Sequence, residues 1–198
     1  MTNNDILRRI RYAFNFSDSK MIALFGAADL EVTREQISAW MKKDDDPDLQ
    51  ELQSPTLATF LNGLINNRRG KREGPQPEPE QRLNNNIILR KLKIALNFRD
   101  EDIIETVALA GKRLGKPELS SFFRKPGHKN HRACLDQVLR NFLTGLALKL
   151  RAEKSPAAEV KKPAEKPPQS GRTAGLDGNH PKGKGDGCPA SKPPFKWE

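Results

Sequence analysis

The amino-acid sequence predicts an all-α protein: a tandem repeat of two similar four-helix modules with helix-turn-helix-like hairpins, followed by a disordered C-terminal tail. The first observation behind this is a constant offset. Adding 82 carries Asn3, Asn4, Ile6, Leu7 and Arg8 onto Asn85, Asn86, Ile88, Leu89 and Arg90, and carries Phe60, Leu61, Gly63 and Leu64 onto Phe142, Leu143, Gly145 and Leu146. Self-similarity at one fixed period, without a gap, marks a duplication. The second is periodicity: apolar residues recur at helical spacing, and no stretch alternates with period two long enough to argue a strand. The third is composition. Residues 152–198 hold 8 Pro and 6 Gly and almost no large apolar side chains before Phe195 and Trp197, too little to offset the entropy of ordering. The expected organisation is therefore a first helical module over residues 1–70, a Pro-rich linker over 71–84, a second, basic module over 85–151, and a disordered basic Pro/Gly-rich tail over 152–198.

Each module reads as four helices. Asn4 suits the cap of a helix whose stripe is Ile6, Leu7, Ile10, Ala13 and Phe14, repeated as Ile88, Leu89, Leu92, Ala95 and Leu96. Asn15 suits the left-handed position that ends a helix, and Asp18 the N-cap of the next, which carries Met21, Ile22, Leu24, Phe25 and Ala28. Thr33 and Gln36 form a capping-box pattern ahead of Ile37, Trp40 and Met41. In the second module Pro117 opens the matching helix, with Leu119, Phe122 and Phe123 on its apolar side. Ser54-Pro55 starts a fourth helix bearing Leu57, Phe60, Leu61, Leu64 and Ile65. Its counterpart is longer and carries Leu135, Val138, Leu139, Phe142, Leu143, Leu146 and Leu150. Between the modules, Gly74-Pro75-Gln76-Pro77-Glu78-Pro79 reads as an extended linker.

Charge is distributed unevenly. The chain has 198 residues and a net charge of +10; the first module carries a net −1 and residues 85–151 a net +8. A polyanion should therefore meet the second module. The apolar runs are too short to span a bilayer, and Asn and Asp follow the first Met where a signal peptide needs a basic start, so a cytoplasmic location is expected. The two cysteines, Cys134 on a patterned helix and Cys188 in the tail, make no disulfide framework and fit a reducing compartment.

The richest chemistry lies in the run from Arg124 to Arg132, Arg-Lys-Pro-Gly-His-Lys-Asn-His-Arg. Pro and Gly keep it a loop, and its amides and cations suit phosphate. At the same place the first module has Asp44-Asp45-Asp46-Pro47-Asp48. Three readings of this sign reversal stand open: two solvated connections that drifted apart, specialisation of the basic loop for an anion, or contact between the two loops. The hairpins of helices two and three resemble a helix-turn-helix with a connection about two residues longer than the tightest DNA-reading form. Their third helices would present Arg34, Glu35, Ser38 and Lys42, and in the second module Lys116, Glu118, Ser121, Arg124 and Lys125.

Other constellations carry less. The acidic run lacks the glycine and closing glutamate of an EF-hand loop. His128, His131 and Cys134 have a spacing that on a helix would suit metal ligands, but flanking Lys129 and Arg132 oppose a cation, and no metal site is expected. Asn15-Phe16 with Asp18, repeated at Asn97-Phe98 with Asp100, is accounted for by capping, and Trp40, Phe122 and Phe123 by packing. No nucleophile–base pair, P-loop or dinucleotide motif is present, so no catalytic residues, no enzyme and no cofactor are expected.

The Asn-Asn-x-Ile-Leu-Arg openings at Asn3 and Asn85 and the Asn-Phe-x-Asp corners at Asn15 and Asn97 carry a family resemblance. The runs Ile-Ser-Ala-Trp from Ile37, Gly-His-Lys-Asn from Gly127 and Leu-Arg-Asn-Phe-Leu-x-Gly-Leu from Leu139 add to it. In these, residues 1–151 resemble the YehS-like family of bacterial proteins, a duplicated domain of unknown function. The resemblance implies a cytoplasmic helical protein and brings no functional residues with it.

Together these readings predict a non-enzymatic, nucleic-acid-associated protein that grips the phosphate backbone with little sequence specificity. The basic second module and the tail would supply the contacts, through Lys116, Arg124, Lys125, His128, Lys129 and Arg132. The partner is RNA or DNA, and no membrane. The alternative is a protein–protein adaptor using a helical surface. The oligomeric state is left open.

Overall fold

The computed structural model describes residues 1–154; the tail expected to be disordered lies outside the described residues. All regular structure in the described residues is helical, in the order α1 (Asn3–Phe14), α2 (Asp18–Gly26), α3 (Arg34–Met41), α4 (Ser54–Arg69), α5 (Asn85–Leu96), α6 (Asp100–Leu109), α7 (Lys116–Phe122) and α8 (Asp136–Lys154). The offset of 82 carries the first residue of each helix in the first module onto the first residue of its counterpart. The tandem all-α repeat is thus a property of the three-dimensional structure.

Local chemistry explains where these helices begin and end. Thr2 caps α1 through a reciprocal capping box with Asp5, and Asn15 closes it in the left-handed conformation at φ 54°. Asn84 caps α5 and Asn97 closes it at φ 57°. The Thr33–Gln36 capping box starts α3, and Pro sits in the first turn of both α4 and α7, where a missing N–H costs nothing.

Three local expectations are corrected. Asn4 is not a cap: it lies inside α1 and is buried. Asp18 is not the N-cap of α2; Ser17 is, accepting a hydrogen bond from Lys20 N. In the second module Arg99 takes the N-cap position, and its backbone N–H is held by the Asp102 carboxylate. The two aspartates instead pair with the preceding helix: Asp18 with Arg11 at 2.7 Å and Asp100 with Lys93. Cys134 and Leu135 precede α8 rather than lying on it, which leaves Leu135 68% exposed.

Residues of both modules fill one hydrophobic core, and the two modules fall in one compact unit. Leu7, Ile10, Phe14, Ile37, Trp40, Phe60, Leu61 and Leu64 are buried, as are Leu89, Leu92, Leu119, Phe122, Phe142, Leu143 and Leu146; Leu96 is half-buried. Between the modules, α4 packs along α5 and α1 along α8, more extensively than α1 meets α4 or α5 meets α8. The repeat exchanges these two pairs, as an isologous two-fold interface does. The arrangement is that of a symmetric dimer joined into one chain.

Within each module one glycine permits a close helix contact. A Cβ at Gly63 would stand 1.8 Å from Leu24 O, and one at Gly145 would stand 1.7 Å from Thr106 O. Only glycine permits α4 and α8 to lie so near α2 and α6. Leu24 and Thr106 are themselves 82 residues apart, so the duplication preserved the contact atom for atom.

Candidate functional site

The site is built on the long connection between the third and fourth helix of each module. Buried Asn4 anchors the first: its Nδ2 donates to Trp40 O (2.9 Å) and Gln50 O (2.8 Å), and its Oδ1 accepts from Leu52 N (3.0 Å). Asn86 does the same with Phe122 O (2.9 Å), Arg132 O (2.8 Å) and Cys134 N (2.9 Å). Asn3 and Asn85 add bonds to Leu52 O and Cys134 O, both at 2.9 Å. One side chain thus uses both its donors and its acceptor to stitch the end of the third helix to the irregular approach of the fourth. The connection is a fixed scaffold in both copies.

On this scaffold the modules differ in charge, and the difference is specific. In the first, Asp44 pairs with Arg8 at 2.7 Å, and Asp46 and Asp48 pair with Lys42 at 3.2 and 2.7 Å. Hydrogen bonds from Asp48 N and Lys42 lower the pKa of Asp46. The acidic loop therefore neutralises cations of its own module. In the second, the cations remain as Arg90 and Arg124, while Pro126, His128 and Asn130 stand where the three aspartates were. Arg90 turns to Phe123, donating to its carbonyl at 2.6 Å and lying over its ring. No hydrogen bond or ion pair joins the acidic and basic loops among the described residues.

The basic loop folds back on α7 to form a cleft of about 510 Å³, with Arg124, Lys129, Asn130, His131 and Arg132 facing Ser120 and the Glu118 side of the helix. Arg124, Lys125, His128, Lys129 and Arg132 are exposed, and none has a carboxylate in ion-pair distance among the described residues. His131 is held through a contact of Nδ1 with Arg124 O at 3.2 Å. The His128 Nδ1 atom accepts from Asn130 N (3.0 Å), which leaves a neutral ring its proton on Nε2. That nitrogen faces Arg124 Nη1 at 3.3 Å. A guanidinium only donates, so two donors converge with no acceptor between them. An anionic oxygen would serve both.

Of the six residues expected from sequence, Arg124, Lys129 and Arg132 line this cleft. Lys125 and His128 lie on the same loop but not on the cleft wall. Lys116 is engaged elsewhere, paired with Glu101 at 2.9 Å, which raises the Lys116 pKa and lowers that of Glu101. Ser121, expected to face outward, is buried and donates to Glu118 O at 2.6 Å. His128, His131 and Cys134 lie on irregular backbone, so their spacing by three gathers them on no common helix face. Burial above all pushes the Cys134 thiol up to about 12, so it packs as a small apolar group in the place of Leu52. Sequence reasoning missed the two clamping asparagines. The signal for them was their recurrence one residue inside the helix, where a cap would not sit.

A family model described as "Protein of unknown function (DUF1456)" matches residues 3–70 and 85–152, once for each module. The chain belongs to this family. It is also 41% identical over 155 residues to the Escherichia coli (strain K12) "Uncharacterized protein YehS", covering 78% of this chain and 99% of that protein. No solved structure matches. The two family matches contain the clamps, the glycine contacts and both charged loops. No helix among the described residues is long and apolar enough to cross a membrane.

Proposed function

We propose that this is a non-enzymatic, nucleic-acid-associated protein whose second module binds the phosphate backbone. One observation carries the reading: Pro126, His128 and Asn130 replace the three aspartates of the first copy, so Arg124, which stands where Lys42 does, has no carboxylate in ion-pair distance among the described residues. Arg124, Lys129 and Arg132 line a cleft with no carboxylate in ion-pair distance among the described residues, and two donors converge at Arg124 and His128; together they make a place for phosphate oxygens. The expected binding is electrostatic and weakly sequence-specific, because the cleft offers charge rather than a set of base-reading amides.

The test replaces Arg124, Lys129 and Arg132 together by Gln in the full chain and measures binding to a generic oligonucleotide over a salt series. Most of the binding should be lost, and the salt slope should flatten by roughly 0.7–0.9 for each phosphate contact removed. The triple variant Asp44→Asn, Asp46→Asn, Asp48→Asn is the paired control. It releases Lys42 and leaves Arg8 with Asp5 as its carboxylate partner, so binding should hold or rise. An unchanged affinity and slope in a folded basic-loop variant would sink the proposal for this cleft.

A further inference from the structure

The two inter-module grooves are equivalent under the repeat, but among the described residues the linker lines only one of them. In the groove between α4 and α5, the linker lies along the wall: Asn62 Nδ2 donates to Pro77 O at 3.4 Å and Asn66 Nδ2 to Gln76 Oε1 at 3.0 Å. Lys91, buried in this groove, donates to Asn62 and forms an ion pair with Glu80 at 2.9 Å. A cavity of about 450 Å³ remains, walled in part by Gln76, Pro77 and Glu80. The expected extended spacer is therefore also a ligand: its 74–80 stretch, with three prolines and two glutamates, is a segment that the protein binds to itself.

The sister groove, between α1 and α8, has a volume of about 580 Å³ and no such segment among its lining residues. Arg9 stands where Lys91 does, half-buried and with no carboxylate partner among the described residues. Tyr12 replaces Ile94, and Leu148 replaces Asn66; both line the groove and are 58% and 51% exposed. The Arg151 guanidinium lies 3.7 Å from the centroid of the Tyr12 ring. An aromatic wall beside a cation suits a proline-rich chain, whose extended form loses little entropy on docking. Two exposed apolar side chains in one concave site mark an interaction surface rather than a scattered exception. Thr144 stands where Asn62 does, so neither amide that holds the linker has a counterpart here.

We propose that the α1/α8 groove binds a proline-rich, acidic peptide segment of a partner protein, in the way the α4/α5 groove binds the linker. Its carboxylate meets Arg9, and its prolines pack on Tyr12 and Leu148. This surface is separate from the basic cleft, so the oligonucleotide experiment and this one fail independently.

The probe is a fluorescent peptide with the sequence of residues 74–81, titrated with the full chain and read by anisotropy. Without the tether that gives the linker its high effective concentration, affinity should be weak, with a Kd on the order of 0.1–1 mM. Arg9→Glu and Leu148→Asp should each weaken binding at least about fivefold, and so should a peptide with its glutamates changed to Gln. Both substituted positions are outside the buried core, and circular dichroism checks that the fold is retained. No saturable binding at millimolar concentration overturns the proposal, as does equal affinity for wild type and both variants. Self-association in light scattering that Leu148→Asp abolishes would assign the groove to a second copy. A rise in peptide affinity of tenfold or more on deleting residues 155–198 would assign it to this chain. Either result overturns a partner peptide.

Discussion

Asn4 and Asn86 show how much one side chain can decide. Each satisfies one carbonyl at the end of the third helix and one carbonyl and one amide of the connection that follows, and each is almost fully buried. A leucine of similar size would fill the space and leave all three groups unpaired, at about 1–3 kcal/mol for each that stays out of water. Asn4→Ala or Asn86→Ala should therefore destabilise the protein by about 3 kcal/mol, read from the denaturation midpoint at unchanged slope. Asn86→Ala should in addition loosen the basic cleft, because Arg132 O is one of its three ligands. A loss below about 1 kcal/mol for both variants would show that water replaces the clamp. By contrast, Asp18 lies outside the cap it resembles on paper, since the hydroxyl one residue earlier already accepts the Lys20 amide.

At the scale of elements, the informative comparison is between two loops on one scaffold. Asp46 accepts from Asp48 N at 2.9 Å and pairs with Lys42, and both contacts favour its charged form. Its folded pKa is depressed, so its contribution to loop order is present above the ordinary aspartate range near pH 4. That contribution is lost as pH falls through the lowered folded value. Acidification below the ordinary aspartate range should release the 42–48 segment before the helices melt, seen as faster amide exchange at Asp48 and Leu49. The equivalent segment 124–130 holds no carboxylate, so its exchange should not follow the same transition. Parallel changes in the two loops would mean that global unfolding, not the ion pairs, sets the pH dependence.

At the scale of the molecule, each module completes the other. The first helix of one module packs on the fourth helix of the other, in both directions. A fragment of residues 1–70 would keep its local caps but expose the faces of α1 and α4 that meet α8 and α5. Short helices without tertiary packing are marginal in water. Fragments 1–70 and 85–152 should each show weak, non-cooperative helicity by circular dichroism, while the full chain unfolds in one transition. Two separate transitions in the intact chain would contradict a shared core.

How much of this was legible follows from the range of the forces involved. The duplication, helix order, the Thr33–Gln36 capping box, the left-handed asparagines and most core positions could be read because they depend on periodicity and on chemistry within about four residues. The basic loop was legible for the same reason, since its charges are consecutive. Tertiary structure alone decided the role of Asn4, whose partners lie 36 to 48 residues away, and the commitment of Lys116 to Glu101. It alone showed that the acidic loop is neutralised by Arg8 and Lys42, and that the linker occupies one groove while the sister groove holds no equivalent segment among its lining residues. A single chain displays the spacing of its own helices and turns. Which side chain meets which across the core is set only when distant helices pack, because hydrogen bonds and ion pairs act over a few ångströms in space and carry no trace of separation along the chain.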